Sequence, residues 1–264
     1  MDDGDKGTAS RALSRALEPI LYWLDNVGNV VSLTSRTVIW LFRPPFRLAQ
    51  MLAMMEFIGV QSLFIVALTG TFSGMVLALQ TNTGFSRFGA ASATATVVVL
   101  SVTGELGPVI AGLMVAGRVG AAMAAEIGTM RVTDQIDALT TLSTDPFRYL
   151  VLPRLLAGLI TLPLLVVVAD IIGVFGGYIV STYKLGFNPA TYLHNTADNL
   201  TSVDVFSGLI KAGVFGFIIA LMGCYHGFHS RGGAQGVGAA TTYAVVSASV
   251  MILLFDYLLT SVLF

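Results

Sequence analysis

Charge is scarce in this chain. Asp, Glu, Lys and Arg make up only 11% of its 264 residues, against about 25% in a typical soluble domain. Lysine is the scarcest: Lys6, Lys184 and Lys211 stand alone, followed by Gly, Leu and Ala. A phosphate-binding P-loop needs a lysine followed by Ser or Thr, so the chain has no Walker A loop. If ATP drives its activity, a separate subunit hydrolyses it. The single cysteine, Cys224, excludes an internal disulfide and a cysteine metal cluster. His226 and His229 are three apart, but no third ligand stands near them in sequence, so they make a poor metal site. GxSxG and HExxH patterns are missing, and the serines have no local His/Asp context. A net charge of -1 supplies no basic field for nucleic acid. The first residues, MDDGDKGTAS, are acidic and polar, and no apolar core of signal length follows them directly.

What the chain has is apolar length. Its hydrophobic fraction is 55% and its mean hydropathy +0.81. A bilayer needs about 20 apolar residues in a helix. The runs predict an all-α integral membrane protein with five transmembrane helices, at residues 57–79, 93–116, 149–182, 205–225 and 237–263. The run 149–182 is long enough for one tilted helix, with a re-entrant pair as the alternative. Gly70 and Gly74 form a GxxxG in the first span, which permits close helix packing but also arises by chance. Residues 80–92 and 184–204 are expected as polar loops, the second with a short helix after Pro189.

The first 50 residues form a separate block. Residues 1–10 suggest a polar tail. Leu13, Ala16, Leu17, Ile20, Leu21 and Leu24 recur at helical spacing, as in an amphipathic helix lying on a membrane or a partner. Trp40, Phe42 and Phe46 with Arg36, Arg43 and Arg47 suit the headgroup zone, and Pro44-Pro45 breaks the helix.

Lys and Arg set the orientation. With the N-terminus in the cytoplasm, Lys6, Arg11, Arg15, Arg36, Arg43, Arg47, Arg118, Arg131, Arg148, Arg154 and Arg231 fall inside, and Arg87, Lys184 and Lys211 outside. Five spans then leave the C-terminus on the far side.

Between the second and third spans the scarce charge is concentrated. Residues 103–154 hold Glu105, Arg118, Glu126, Arg131, Asp134, Asp137, Asp145, Arg148 and Arg154. Ile127 and Met130, then Val132, Ile136 and Leu139, follow helical spacing. Arg131, Asp134, Gln135 and Asp137 fall mostly on the other side, with Arg131 and Asp134 spaced to pair. Asp145-Pro146 is a plausible stop, because the residue before proline avoids the helical region. Such a helix can lie flat at the membrane and dock into a groove on a partner; a solvated loop of some helical character is the alternative.

Three acidic residues sit inside spans: Glu105, Asp170 and Asp256. A carboxylate at the centre of a lone helix costs about 3 kcal/mol on insertion scales, so each needs a cavity, a partner or a proton. Glu105 either lines a cavity or makes a structural contact to a hydroxyl, a backbone group or Arg118.

The stretch GELGPVIAGLMVAGRVGAAMAAEIGTMRVTDQIDAL, with TFSGMVLALQ before it and GGAQGVGAATTYAVV and LLFDYLLT after it, resembles the MlaE/YrbE permease family. The likeness covers roughly residues 50–264 and is weakest over the N-terminal 45 or so. It implies the membrane subunit of an ABC transporter that moves phospholipid between the inner and outer membranes of a bacterium. The 1–50 block would form an interfacial elbow ahead of a permease domain at 51–264. The N-terminus would be cytoplasmic and the C-terminus periplasmic, in the inner membrane.

The resemblance also implies partners: a second copy of the chain, two ATPase subunits, an MCE-domain ring on the far side and a small STAS-domain protein. Each ATPase would grip one coupling helix, through Glu126, Met130, Arg131, Asp134, Gln135, Asp137 and Leu139. Mg-ATP would be bound by the ATPase, with no cofactor in this chain. Phospholipid would sit in a cavity at the dimer interface, for which Val76, Leu79, Gln80, Thr83, Thr96, Val99 and Glu105 are candidates. Glu105 matches the family's ELGP motif and Asp256 an acidic position in its last span; Asp170 matches none. Sterols or other hydrophobic molecules are alternative cargo. A membrane-embedded lipid-modifying enzyme and a passive channel or scaffold are the alternatives from other classes. The enzyme would need convergent polar groups within the spans, where only isolated carboxylates are evident.

Overall fold

The computed structural model describes Gly28, Ser35, residues 48–90 and residues 93–263. The amphipathic helix and interfacial elbow expected before residue 48 lie outside the described residues. Residues 48–90 and 93–263 lie in the unit Phe46–Phe264. Among the described residues there are helices, turns and short links and no strands.

Among the described residues from 48 onward, seven helices follow in order. Five are long and apolar enough to cross a bilayer: α1 (Leu48–Ser86), α2 (Thr94–Val132), α4 (Phe147–Tyr183), α6 (Ser202–Phe228) and α7 (Gly233–Leu263). Two are short: α3 (Gln135–Thr141) between α2 and α4, and α5 (Pro189–Asn199) between α4 and α6. All five apolar runs are thus single long helices. The run from residue 149 is one helix rather than a re-entrant pair.

The helices are longer than the apolar runs alone suggest. α1 continues through Gln80–Ser86, a stretch expected as loop. No proline interrupts it, and polar residues beyond a span still bond i to i−4 in water. The chain turns only at Gly89, at φ 69°, where a side chain would be strained.

α4 is the central helix, packed against α1 on one side and α6 on the other. Both contacts are made by glycine. A Cβ at Gly74 of α1 would overlap the Gly173 carbonyl of α4, and one at Gly158 of α4 would overlap the Gly216 carbonyl of α6. Lipid chains are as apolar as leucine, so spans associate through such close packing rather than hydrophobic expulsion. The GxxxG at Gly70 and Gly74 is therefore a packing surface. α7 closes the bundle against α6 and the last third of α2. The outer faces of α1 and α7 carry exposed Phe64, Phe72, Val250 and Leu254, apolar side chains that lipid or another membrane helix can cover.

Two prolines shape the spans in the same way. Pro108 in α2 and Pro153 in α4 are each preceded by a wide π turn, at Val102–Leu106 and Phe147–Val151. Gly107 N–H then reaches back to the Val102 carbonyl, and Leu152 N–H to that of Phe147. A proline ring inside a helix clashes with the carbonyl four residues before it, and widening the preceding turn relieves the clash.

Candidate functional site

Two polar constructions stand out, at opposite ends of the bundle. One is formed where Pro108 breaks the bonding of α2. The regular donor to the Gly104 carbonyl would be the N–H of residue 108, which proline lacks. Lys211 Nζ of α6 takes that carbonyl instead, at 3.0 Å. Gly208, one turn earlier on α6, lies so close to the Thr103 carbonyl that a Cβ there would collide with it. The same ammonium reaches Glu105 Oε1 at 2.8 Å and Asp256 Oδ1 of α7 at 3.5 Å. Thr260 Oγ1 donates to Glu105 at 3.1 Å.

Exposure within the group is graded. The Lys211 side chain is 0% exposed, Asp256 21% and Glu105 39%. An ammonium removed from water needs paired acceptors, and here it has a carbonyl and two carboxylates. The carboxylates look outward to the rim. By helix rise the group lies roughly 11–17 Å inside the ends of α2, α6 and α7. Those are the ends where the Arg87–Ala93 link enters α2, α5 leads into α6 and α7 finishes, on the side away from α3.

The sequence marks Glu105 and Asp256 but treats Lys211 as an outside charge. In the structure Lys211 lies within α6, buried, and joins the two carboxylates. Arg118 does not meet Glu105. It donates to Gln61 Oε1, Ser62 Oγ and the Phe57 carbonyl of α1, at 2.5, 2.9 and 3.3 Å. Asp170 packs its carboxyl against Gly107, and its Oδ1 has no hydrogen bond among the described residues.

The other candidate cavity residues divide by burial. Val76, Gln80 and Thr83 are exposed along one face of α1, and Leu79 is half-buried. Thr96 is half-buried on α2, and Val99 is wholly inside the chain. Val99 thus contributes to the packing of α2 rather than to an open surface of the single chain.

The second construction is the segment between α2 and α4. It is not one continuous helix over 126–142. α2 runs on to Val132, Asp134 takes the left-handed conformation at φ 59°, and α3 begins at Gln135. Glu126, Met130 and Arg131 therefore lie on the end of α2, and Gln135, Asp137 and Leu139 on α3, with Asp134 at the corner. Asp tolerates the left-handed region better than most residues. The corner changes the pairing: Arg131 Nη1 bonds Asp137 Oδ1 at 2.7 Å, not Asp134. Ile136 is the one buried residue of α3, and its polar residues face solvent. Asp145 starts a helix rather than ending one, accepting from the Phe147 N–H at 2.8 Å. At the segment's root, Arg154 Nη2 meets Glu126 Oε1 at 2.8 Å, and Phe147 stacks on Phe228 at 5.3 Å.

The two histidines of the α6 end are separately engaged. His226 Nε2 is 2.9 Å from Ser247 Oγ, and His229 Nδ1 donates to the Tyr225 carbonyl at 2.7 Å. No group of three or more metal-ligating side chains occurs among the described residues.

The family model for the permease MlaE matches residues 51–262, nearly the whole described bundle. The chain belongs to the MlaE permease family. A probable ABC transporter permease protein of Rickettsia felis is 58% identical over 239 residues, covering 90% of this chain and 92% of that one. The intermembrane phospholipid transport system permease protein MlaE of Haemophilus influenzae is 36% identical over 211 residues, covering 80% and 81%. The chloroplastic protein TRIGALACTOSYLDIACYLGLYCEROL 1 of Arabidopsis thaliana is 35% identical over 236 residues, covering 89% and 67%. In this MlaE-family chain the Lys211 group unites the ELGP stretch of α2 with α6 and the last span. Its three charged residues are spread over some 150 positions, so no local motif announces it.

Proposed function

We propose that this multi-pass protein is the membrane subunit of an ATP-driven transporter that moves phospholipid between membranes. It has no P-loop, so hydrolysis belongs to a separate ATPase carrying Mg-ATP. The observation that carries the reading is the segment from Glu126 to Leu142. It is anchored by α2 and α4, turns at Asp134, and presents Gln135, Asp137 and the end of α2 to solvent. A polar, solvent-facing corner at the end of long spans suits a groove on a soluble partner.

The remaining assembly is proposed on the same basis. Two copies pair, and phospholipid enters between them near Val76, Leu79, Gln80, Thr83, Thr96 and Glu105. An MCE-domain ring receives the lipid on the periplasmic side, and a STAS-domain protein accompanies the ATPase. The chain lies in a bacterial inner membrane with its N-terminus in the cytoplasm and its C-terminus in the periplasm. Closing of the ATPase pair moves the docked corners, and the spans attached to them narrow the cavity.

A tagged pull-down in mild detergent, with mass spectrometry of proteins and lipids, tests this. Stoichiometric recovery of a P-loop ATPase and an MCE-domain protein with bound phospholipid supports it. A chain that purifies alone, with no ATPase even after cross-linking, overturns it.

A further inference from the structure

Movement of a docked corner does work in the membrane only if the corner cannot swing freely about its roots. α3 itself is lightly held. It buries only Ile136, and its ion pair, Arg131–Asp137, is exposed and closes back on the segment. Exposed pairs of this kind contribute about 0–1 kcal/mol. The two roots, the last third of α2 and the start of α4, each pack on α6, and further stiffness needs a direct tie between them.

Arg154 supplies that tie. Its side chain is 4% exposed, at the Pro153-widened start of α4. Nη2 holds Glu126 of α2 at 2.8 Å, and Nη1 donates to the Leu150 carbonyl of its own π turn at 2.7 Å. One guanidinium thus ties together the last third of α2, the irregular first turn of α4 and, through them, both ends of residues 127–153. Arginine suits this task because its fork presents several donors in a fixed plane, whereas lysine is a single point charge on a flexible stem. Glu126 is 52% exposed, so the pair sits at the boundary between the packed interior and the cytoplasmic face.

We infer that Arg154 is a positioning residue for energy coupling: through Glu126 it clamps the two roots of the cytoplasmic corner, so that displacement of the corner is carried into α2 and α4. This rests on the proposed role of the corner as the ATPase dock.

The test uses the full transporter recovered with its ATPase, in proteoliposomes loaded with phosphatidylethanolamine bearing a fluorescent acyl chain. Lipid moved per ATP hydrolysed is compared for the wild type, Arg154→Lys, Glu126→Gln and the double variant. Lysine can satisfy Glu126 or the Leu150 carbonyl, but not both in arginine's geometry. Arg154→Lys should bind the ATPase and hydrolyse ATP as the wild type does. It should move less lipid per ATP, by about fivefold or more, since coupling between sites is typically worth about 5–150-fold. The double variant should lose no more than the worse single one, because the pair acts as a unit. A wild-type ratio for Arg154→Lys overturns the inference and leaves the dock intact. Should Arg154→Lys fail to assemble, a normal ratio in Glu126→Gln overturns it equally. Losses that add in the double variant, or lost ATPase binding by Glu126→Gln beside a normal Arg154→Lys, would make Glu126 a contact residue and contradict the clamp. If the wild type recovers no ATPase, the proposed function itself fails.

Discussion

The ammonium of Lys211 lies 2.8 Å from Glu105 Oε1 while also holding the Gly104 carbonyl at 3.0 Å. One side chain of α6 thus satisfies both the carbonyl that Pro108 leaves without a donor and the acid next to it. Removing one partner of a buried pair costs about 3–5 kcal/mol; here the exposed rim lowers that. Lys211→Met should therefore reduce stability by at least about 2 kcal/mol, read as the detergent melting temperature. Adding Glu105→Gln and Asp256→Asn to it should recover part of the loss, because no unpaired charge then remains. A melt unchanged by Lys211→Met would show that the group contributes nothing to folding.

Glu105→Gln is a milder change. Lys211 keeps the Gly104 carbonyl and Asp256, and Thr260 keeps an acceptor. The variant should assemble at near wild-type levels, yet transport lipid more slowly, by roughly tenfold if it loses a charge-assisted contact worth about 1.5 kcal/mol. Initial transport rates normalised to assembled complex check this. Equal rates would make Glu105 purely structural.

The exposed pair at the corner separates docking from folding. Arg131 and Asp137 contribute about 0–1 kcal/mol to stability. Reversing both, Arg131→Asp with Asp137→Arg, should leave melting and membrane insertion unchanged while inverting the charge pattern offered to a partner. Co-purification of the ATPase should fall severalfold. Undiminished recovery would mean that the partner does not read these charges.

Gly74→Val tests the packing of α1 on α4. A Cβ there overlaps the Gly173 carbonyl, so the helices must separate. Overpacking costs about 1–3 kcal/mol or more, and the variant should accumulate poorly in membranes. Gly84→Ala, which meets open space, is the matched control and should accumulate normally.

The spans were legible because long apolar runs have one solution in a bilayer, a helix that bonds its own backbone. Helix ends were less so. Gln80–Ser86 is polar, but polarity alone does not stop a helix already under way, and α1 continues to Ser86. The corner at Asp134 was hidden because apolar spacing runs on from Val132 to Ile136 across it. Glu105 and Asp256 were visible as acids in apolar surroundings. Lys211 is not legible as their partner, since nothing local links a lysine of α6 to a proline-broken turn of α2. Arg154 is equally hidden, as its task depends on α6 bringing the end of α2 and the start of α4 within reach of one side chain.

The most direct test of the ATPase dock is a site-specific cross-link. Cys224 is the only native cysteine and is buried, so Asp137→Cys, on the exposed face of α3, can be labelled alone with a photo-cross-linker. The expected result is one dominant adduct with the P-loop ATPase in membranes. Labelled Asp137→Cys that yields no ATPase adduct, in membranes where the ATPase is present, would contradict the assignment of residues 126–142 as the coupling segment.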